Sequence, residues 1–226
     1  MENFVELLPR LADGLWVTLQ VTLLGIALSL VLAFVGGLGR LAPWRPVRWL
    51  SGLYIEVFRG TSLLIQMFWF FFAFPQLFNI ELSPVAAGVL ALGMNVGSYG
   101  SEVVRGAILS VPKGQYEAAV ALNFPSASRL RRIIVPQAVV AMLPPFGNLA
   151  IELLKGSAVV SLIAVADLAF QARQIRISGF MSSFEVYLVI LVIYFVVASV
   201  IAMLMRRVER RAGRGMGIGH RKVAAQ

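Results

Sequence analysis

Three acid–base pairs, each spaced three residues apart, carry most of the chemistry this chain can offer: Glu56 with Arg59, Glu102 with Arg105, and Glu152 with Lys155. Side chains three apart share one face of a helix, so each pair can neutralise itself. An ionisable group at the centre of a membrane span costs ~2.5–3.5 kcal/mol on insertion scales, so it pairs or faces a water-filled path. Glu102/Arg105 adjoins a polar loop and reads as a structural contact at a membrane boundary. Glu152 and Lys155 lie deep within the run 133–166 and are followed by Gly156, Ser157 and Ser161, groups able to line a path for a small polar solute. A helix end freed at Gly156 would point its dipole at a charged ligand. A solute carboxylate would meet Lys155 or Arg59, with Glu152, Asn95, Tyr99 and Gln66 as further polar candidates.

Other chemistries lack their residues. The 226 residues include no cysteine, and the single histidine, His220, sits in a basic tail, so no thiol, disulfide or cysteine-based metal site is expected. No cofactor or metal is expected either. The scattered serines have no histidine partner for intramembrane proteolysis. No phosphate-binding loop of the form Gly-x-x-x-x-Gly-Lys-Ser/Thr occurs, so any ATP must be bound by another polypeptide. The glycine-rich stretch 213–219 lacks the strand and helix of a dinucleotide site and reads as disordered.

The elements that must position these groups are set by composition. Hydrophobic residues make up 59% and charged residues 14%, against about 45–50% and about 25% in ordinary soluble domains. Lipid is therefore the solvent for most of the chain. The reading is an all-α integral membrane protein with about five spans: Leu15–Leu38, Leu50–Phe74, Pro84–Val104, Ile133–Ala166 and Phe184–Met205. The fourth is long enough for a bend or an extra short helix, with Pro136, Pro144 and Pro145 as plausible places. Gly93-Met-Asn-Val-Gly97 has the spacing that permits close helix approach, although chance spacing explains it equally well.

Basic residues orient the bundle, because the side that retains Lys and Arg is normally cytoplasmic. Arg40, Arg45 and Arg48, then Lys113, Arg129, Arg131 and Arg132, then the arginines from Arg206 onward all fall on one face. The other face has Arg10, Arg173 and Arg176. The amino terminus is thus expected outside and the carboxyl terminus inside a cytoplasmic (inner) membrane. The formal charge of +9 follows from this topology, and no nucleic-acid partner is expected. Residues 1–13 read either as a short external amphipathic helix or as a frayed terminus. Residues 14–205 form the membrane domain, and 206–226 a basic cytoplasmic tail.

Residues 110–132 are too polar to span and too rich in helix formers to be linker. Glu117-Ala-Ala-Val-Ala-Leu122 has strong helix propensity, and Ser126 with Arg129 can begin a second helix after Pro125. Here the chain resembles the type I ABC importer permeases: Glu117, Ala118, Ala119, Asn123, Ile133 and Pro136 fall at the spacing of their EAA loop. Asn123 stands for the usual glycine and Val135 for the usual leucine; Asn tolerates positive φ well and so can preserve the turn. The resemblance implies a coupling helix over about Gln115–Arg129 that seats in a groove of an ATPase subunit, with Gln115, Glu117, Ala118, Ala119, Asn123, Ser126 and Arg129 as coupling residues.

The segments Tyr54–Gln66, Glu102–Gln115 and Pro144–Asn148 are similar to the polar amino-acid branch of that family. Ser62 replaces its usual proline, and Lys155-Gly156-Ser157 replaces Lys-Asp-Thr/Ser. Leu154–Ser161 resembles the permeases of ectoine and hydroxyectoine importers. The resemblance implies a working unit of two permease chains, identical or homologous, two ABC ATPase subunits and an extracytoplasmic solute-binding protein, in which this chain is not an enzyme but supplies the path. The rival readings are a passive polar-solute channel and a non-conducting scaffold subunit.

Overall fold

Inside a bilayer a backbone amide finds no water, so apolar runs satisfy their own polar groups by folding into helices. Every element of the computed structural model, which describes residues 2–179 and 181–214, is helical. Helix α1 covers Glu2–Arg40, α2 Arg45–Gly60, and α3 Leu63–Phe68, the last running through a π turn at Trp69–Ala73 into α4 at Phe74–Phe78. Helix α5 covers Pro84–Leu109. The loop beyond it holds α6, Lys113–Ala121, and α7, Ser126–Arg129, and a π turn at Leu130–Ile134 joins α7 to α8, Val135–Ser157. A 3₁₀ segment at Ala158–Ile163, α9 at Leu168–Ser178 and α10 at Ser183–Arg214 complete the chain.

The most extensive contact lies between α1 and α5. These helices run parallel, and glycines let their backbones meet. A Cβ added at Gly93 would lie 2.6 Å from Leu28 Cδ2, one at Gly97 2.9 Å from Leu32 Cβ, and one at Gly37 2.6 Å from the Ser101 carbonyl oxygen. The Gly93/Gly97 spacing is therefore a packing device rather than chance. Tyr54 fastens α2 to the same place by donating to the Met94 carbonyl at 2.8 Å.

Helices α1 and α10 are each long and apolar enough to cross a membrane, as is the continuous stretch Ser126–Ile163 containing α8. Helix α2 and α3–α4, bent by 107° at Thr61–Ser62, are together long and apolar enough for a fourth when counted as one broken span. Helix α5 has 26 residues, about 39 Å of helix. It is diluted by the glycines, serines and asparagine of its buried face, so it completes the expected five passages by length and enclosure rather than by apolarity.

Several boundaries differ from the sequence reading. Residues 2–13 are continuous with α1 and form its first turns, with Pro9 inside the helix. The carboxyl-terminal arginines 206–214 continue α10, so the basic tail starts as helix; residues 215–226, with most of the glycine-rich stretch, lie outside the described residues. Pro144 and Pro145 sit within α8. The irregularities fall instead at the π turn before Pro136 and at the 3₁₀ segment after Ser157, where Ala164 takes a left-handed φ of 61°. The extra short helix is α9.

The glycine contact yields a contrast. Gly37→Ala forces α1 off the Ser101 carbonyl and is expected to cost ~1–3 kcal/mol as overpacking does. Gly106→Ala, where an added Cβ meets nothing, is expected to be neutral or to stabilise by ~0.5–1 kcal/mol. Thermal unfolding of the two variants in detergent measures the difference.

Candidate substrate path and coupling loop

The break between α2 and α3, level with the middle of α5, leaves carbonyl groups without helical partners. Two buried amides supply them. Gln66 Nε2 donates to the Phe58 carbonyl at 2.9 Å, to the Thr61 carbonyl at 3.2 Å and to Thr61 Oγ1 at 2.7 Å. Asn95 Nδ2, from α5, donates to the Phe58 carbonyl at 2.9 Å and to Gln66 Oε1 at 3.1 Å. Both side chains face the break and are buried. Arg59 follows the doubly bonded Phe58, and its guanidinium carbon lies 5.2 Å from the centroid of the Tyr99 ring, a cation–π distance. The ring lies one turn beyond Asn95 on α5. Beside this group is a hollow of about 300 Å³ lined by Val57, Phe58, Thr61, Ile65, Gln66, Trp69 and Phe70.

Lys155 occupies a different place. It lines a second hollow, about 460 Å³, between α8 and α10, with Ile151, Tyr194, Ser199 and Arg206 among its neighbours. Gly156 turns the other way, and a Cβ there would meet Leu92 Cδ2 at 3.2 Å and Leu63 Cδ2 at 3.5 Å. Ser157 is buried and donates to the Leu154 carbonyl at 2.7 Å, and Ser161 accepts from Arg173 Nη2 at 3.2 Å. The expected path residues thus fall into three groups in this chain: Arg59, Gln66, Asn95 and Tyr99 on α2, α3 and α5; Glu152 and Lys155 on the exposed side of α8; Ser157 and Ser161 toward α9.

Of the three acid–base pairs, only Glu102/Arg105 closes, with Arg105 Nη2 at 2.7 Å from Glu102 Oε2; it is the sole ion pair among the described residues. Glu56 and Arg59, and Glu152 and Lys155, do not meet within 4.0 Å, and all four are exposed in the single chain. The reason in the first case is visible: Arg59 has turned to Tyr99. An unpaired charge facing hydrocarbon is costly, so these faces of α2 and α8 are suited to water or to another chain.

The loop between α5 and α8 folds as expected into two short helices. Asn123 between them has φ of 55°, the left-handed conformation for which asparagine is the best substitute for glycine. Ser126 starts α7 without capping it through its side chain, since Pro125 holds the cap position. Gln115, Glu117 and Ala118 are exposed, whereas Ala119 is 1% exposed and turns into its own chain. Arg129 Nη2 donates to the Tyr116 hydroxyl at 2.9 Å, its guanidinium carbon 4.0 Å from the ring centroid, and lies 3.5 Å from Ser126 Oγ. Sequence reasoning passed over Tyr116, which locks α6 to α7, and the exposed apolar Val120 and Leu122 beside it; an aromatic in a short polar loop was the available signal.

A bundle of this shape, with polar groups at a broken span and an exposed helical loop on one side, is that of a membrane transport component. The chain belongs to the family of binding-protein-dependent transport system inner membrane components, which it matches over residues 25–214, and is a multi-pass membrane protein. Among its relatives, a probable amino-acid ABC transporter permease protein of Sinorhizobium fredii is 49% identical over 84% of this chain and 82% of its own length. The L-cystine transport system permease protein of Bacillus subtilis is 36% identical, covering 91% and 88%. The crystal structure of an amino acid ABC transporter with histidines superposes with a TM-score of 0.85 at 36% identity, over 92% of this chain and 96% of that one. The methionine ABC transporter in an inward-facing conformation shares the fold, with a TM-score of 0.76 at 18% identity, over 90% and 96%.

The amide network has a measurable coupling. Gln66→Ala and Asn95→Ala each strip a buried carbonyl of a donor and are expected to destabilise by ~1–3 kcal/mol. Because both act on Phe58, the double variant is expected to fall short of the sum by ~0.5 kcal/mol or more. A double-mutant cycle by thermal or denaturant unfolding in detergent reads the shortfall.

Proposed function

We propose that this chain is the conducting permease of an ATP-driven importer for a polar amino acid or a zwitterionic amino-acid derivative, with ectoine or hydroxyectoine favoured. The observation that carries the reading is Gly156. The polar amino-acid branch that this chain resembles usually has aspartate between the lysine and the following hydroxyl residue, where this chain has Lys155-Gly156-Ser157. Without that carboxylate the path keeps a cation at Lys155 and another at Arg59, and loses a partner for a cationic side chain. Such a path suits a solute whose charges are a carboxylate and a delocalised or shielded cation. The names of its relatives, which include transporters of L-cystine and glutamine, support the wider class of amino acids.

The working unit in this reading is two permease chains, two ATPase subunits and an external solute-binding protein, with the amino terminus outside and the carboxyl terminus inside. A second permease chain, homologous or identical, covers the exposed charges of α2 and α8. Gln115, Glu117, Ala118, Asn123, Ser126 and Arg129 present α6 and α7 to the ATPase, and Ala119 packs that unit onto its own bundle. Closure of the ATPases pushes the loop and turns the bundle outward; hydrolysis returns it and releases the solute inward. Arg59, held over Tyr99 by the Gln66–Asn95 amides, and Lys155 with Glu152 are the polar stations of the path; Ser157 and Ser161 support its wall.

Uptake of labelled ectoine and of a panel including cystine, glutamine and arginine, in cells carrying the whole transporter with this chain intact or deleted, tests the reading. Loss of ectoine uptake alone is the expected result. Loss of an amino acid instead keeps the permease and removes the ectoine assignment, and no change in any solute removes the transport function. Gly156→Asp is expected to admit arginine as a competitor. Glu117→Arg is expected to abolish uptake while leaving the amount of chain in the membrane unchanged, as measured by immunoblotting of membranes.

A further inference from the structure

Side chains four residues apart form continuous ridges on a helix surface, and two neighbouring ridges of α2 differ in chemistry. One, formed by Arg48, Gly52, Glu56 and Gly60, is polar, and Arg40 of α1 closes over its glycine, with Nη1 2.7 Å from a Cβ added at Gly52. The other is formed by Arg45, Trp49, Leu53 and Val57, all exposed. It changes character in order, from a cation through an amphipathic aromatic to apolar groups. Past the bend the same interval continues through Thr61, Ile65 and Trp69, and Val57 with these three lines the hollow of about 300 Å³.

That hollow offers little to a polar solute. Val57, Phe58, Ile65, Trp69 and Phe70 make most of its wall, and its two polar side chains are committed: Gln66 Nε2 to Thr61 Oγ1 and the Phe58 carbonyl, and the Thr61 hydroxyl to the Val57 carbonyl at 2.7 Å. At the other end of the ridge the charges lack partners. No acidic residue occurs from Gly14 to Ile55, and Arg40, Arg45 and Arg48 make no ion pair among the described residues. Glu102 on α5 lies in the field of Arg40, but Arg105 already holds it. Trp44 and Trp49 flank these arginines and are 73% and 66% exposed; tryptophan so placed settles at the level of lipid headgroups.

We propose that the exposed apolar ridge of α2 seats one anionic phospholipid, with its phosphate on Arg45 and Arg48 between the two tryptophans and one acyl chain along Leu53 and Val57 into the hollow at the bend. The lengths agree. Trp49 and Val57 are eight residues apart, about 12 Å of helix, and one leaflet holds about 15 Å of hydrocarbon, so a chain anchored at Trp49 brings its end to the hollow. A protein helix would need only the apolar part of this ridge. The gradation from cation through tryptophan to aliphatic side chains is that of half a bilayer, and arginines without acidic partners call for a negative headgroup. The polar ridge with Glu56 is left to water or a neighbouring chain, so the lipid site holds whichever solute is carried.

Native mass spectrometry of the full chain, purified with its partner subunits and titrated with lipid, tests the proposal. Dioleoyl phosphatidylglycerol is expected to bind in preference to dioleoyl phosphatidylcholine, with one tight site per copy of this chain. Arg45→Gln with Arg48→Gln is expected to weaken that site about 25-fold, roughly fivefold for each arginine. Arg207→Gln with Arg210→Gln removes the same charge from exposed positions on α10 and is expected to leave the site unchanged. Ile65→Trp fills the hollow and is expected to weaken the dioleoyl lipid but not dihexanoyl phosphatidylglycerol, whose chains end short of it. No preference for phosphatidylglycerol, equal losses from the two arginine pairs, an unchanged dioleoyl affinity in Ile65→Trp, or release of a protein subunit instead of lipid from the Arg45/Arg48 variant would each overturn the proposal. Should that variant fail to assemble, brominated-chain lipids replace it. The fluorescence contributed by Trp49 and Trp69, taken as the signal lost in Trp49→Phe and Trp69→Phe, is expected to be quenched at a lower mole fraction of phosphatidylglycerol than of phosphatidylcholine, and equal quenching overturns the site.

Discussion

A backbone carbonyl released inside a bilayer has no water to accept, and each such group must be met by protein. The described chain interrupts its helices at this depth at two places, Thr61–Ser62 and the 3₁₀ segment after Ser157, and much of the remaining architecture answers those interruptions. At the first, Gln66 and Asn95 reach from two helices to one carbonyl and to each other. At the second, the 3₁₀ turn keeps most of its own bonds and Asp167 starts the next helix. Polar side chains in the membrane interior are thus of two kinds here: those that complete the backbone, and those left exposed for a solute or a neighbouring chain.

Close approach of α1 and α5 makes this possible. With glycine at 37, 93 and 97, two parallel helices lie near enough for Tyr54 to span them and for Asn95 to reach Phe58 across the α2 crossing. The polar cluster of α5 therefore depends on residues with no side chain at all. That dependence also explains why the inward face of α5 is built from small and polar residues that other helices enclose.

Much of this was legible in the sequence because the signals were local. Long apolar runs gave the passages, and turn chemistry gave the loop helices, with Asn123 in the left-handed conformation its position required. What was not legible depended on geometry between segments. Side chains three apart on a helix are near enough to pair, yet Arg59 chose Tyr99, forty residues away, and Glu152 and Lys155 stayed apart. Gln66 and Asn95 looked like free polar groups, because nothing local says that a helix break will claim them. Pro144 and Pro145 misled, since proline permits a kink without demanding one, while the real irregularities arose at the two ends of α8.

Helix α8 runs from the π turn after the α6–α7 loop to Lys155 without a break. Its 23 residues form a rod of about 35 Å, with a π turn at the loop end and a 3₁₀ turn at the other, both less regular than the shaft. Such a member behaves as a strut with compliant ends. Under the coupling proposed above, a push on α6 and α7 would be absorbed little along its length and delivered to the far joint as rotation or translation of nearly full size. The places where the chain can yield are then the two short turns, so stroke length is set by their local stiffness rather than by the apolar packing between them.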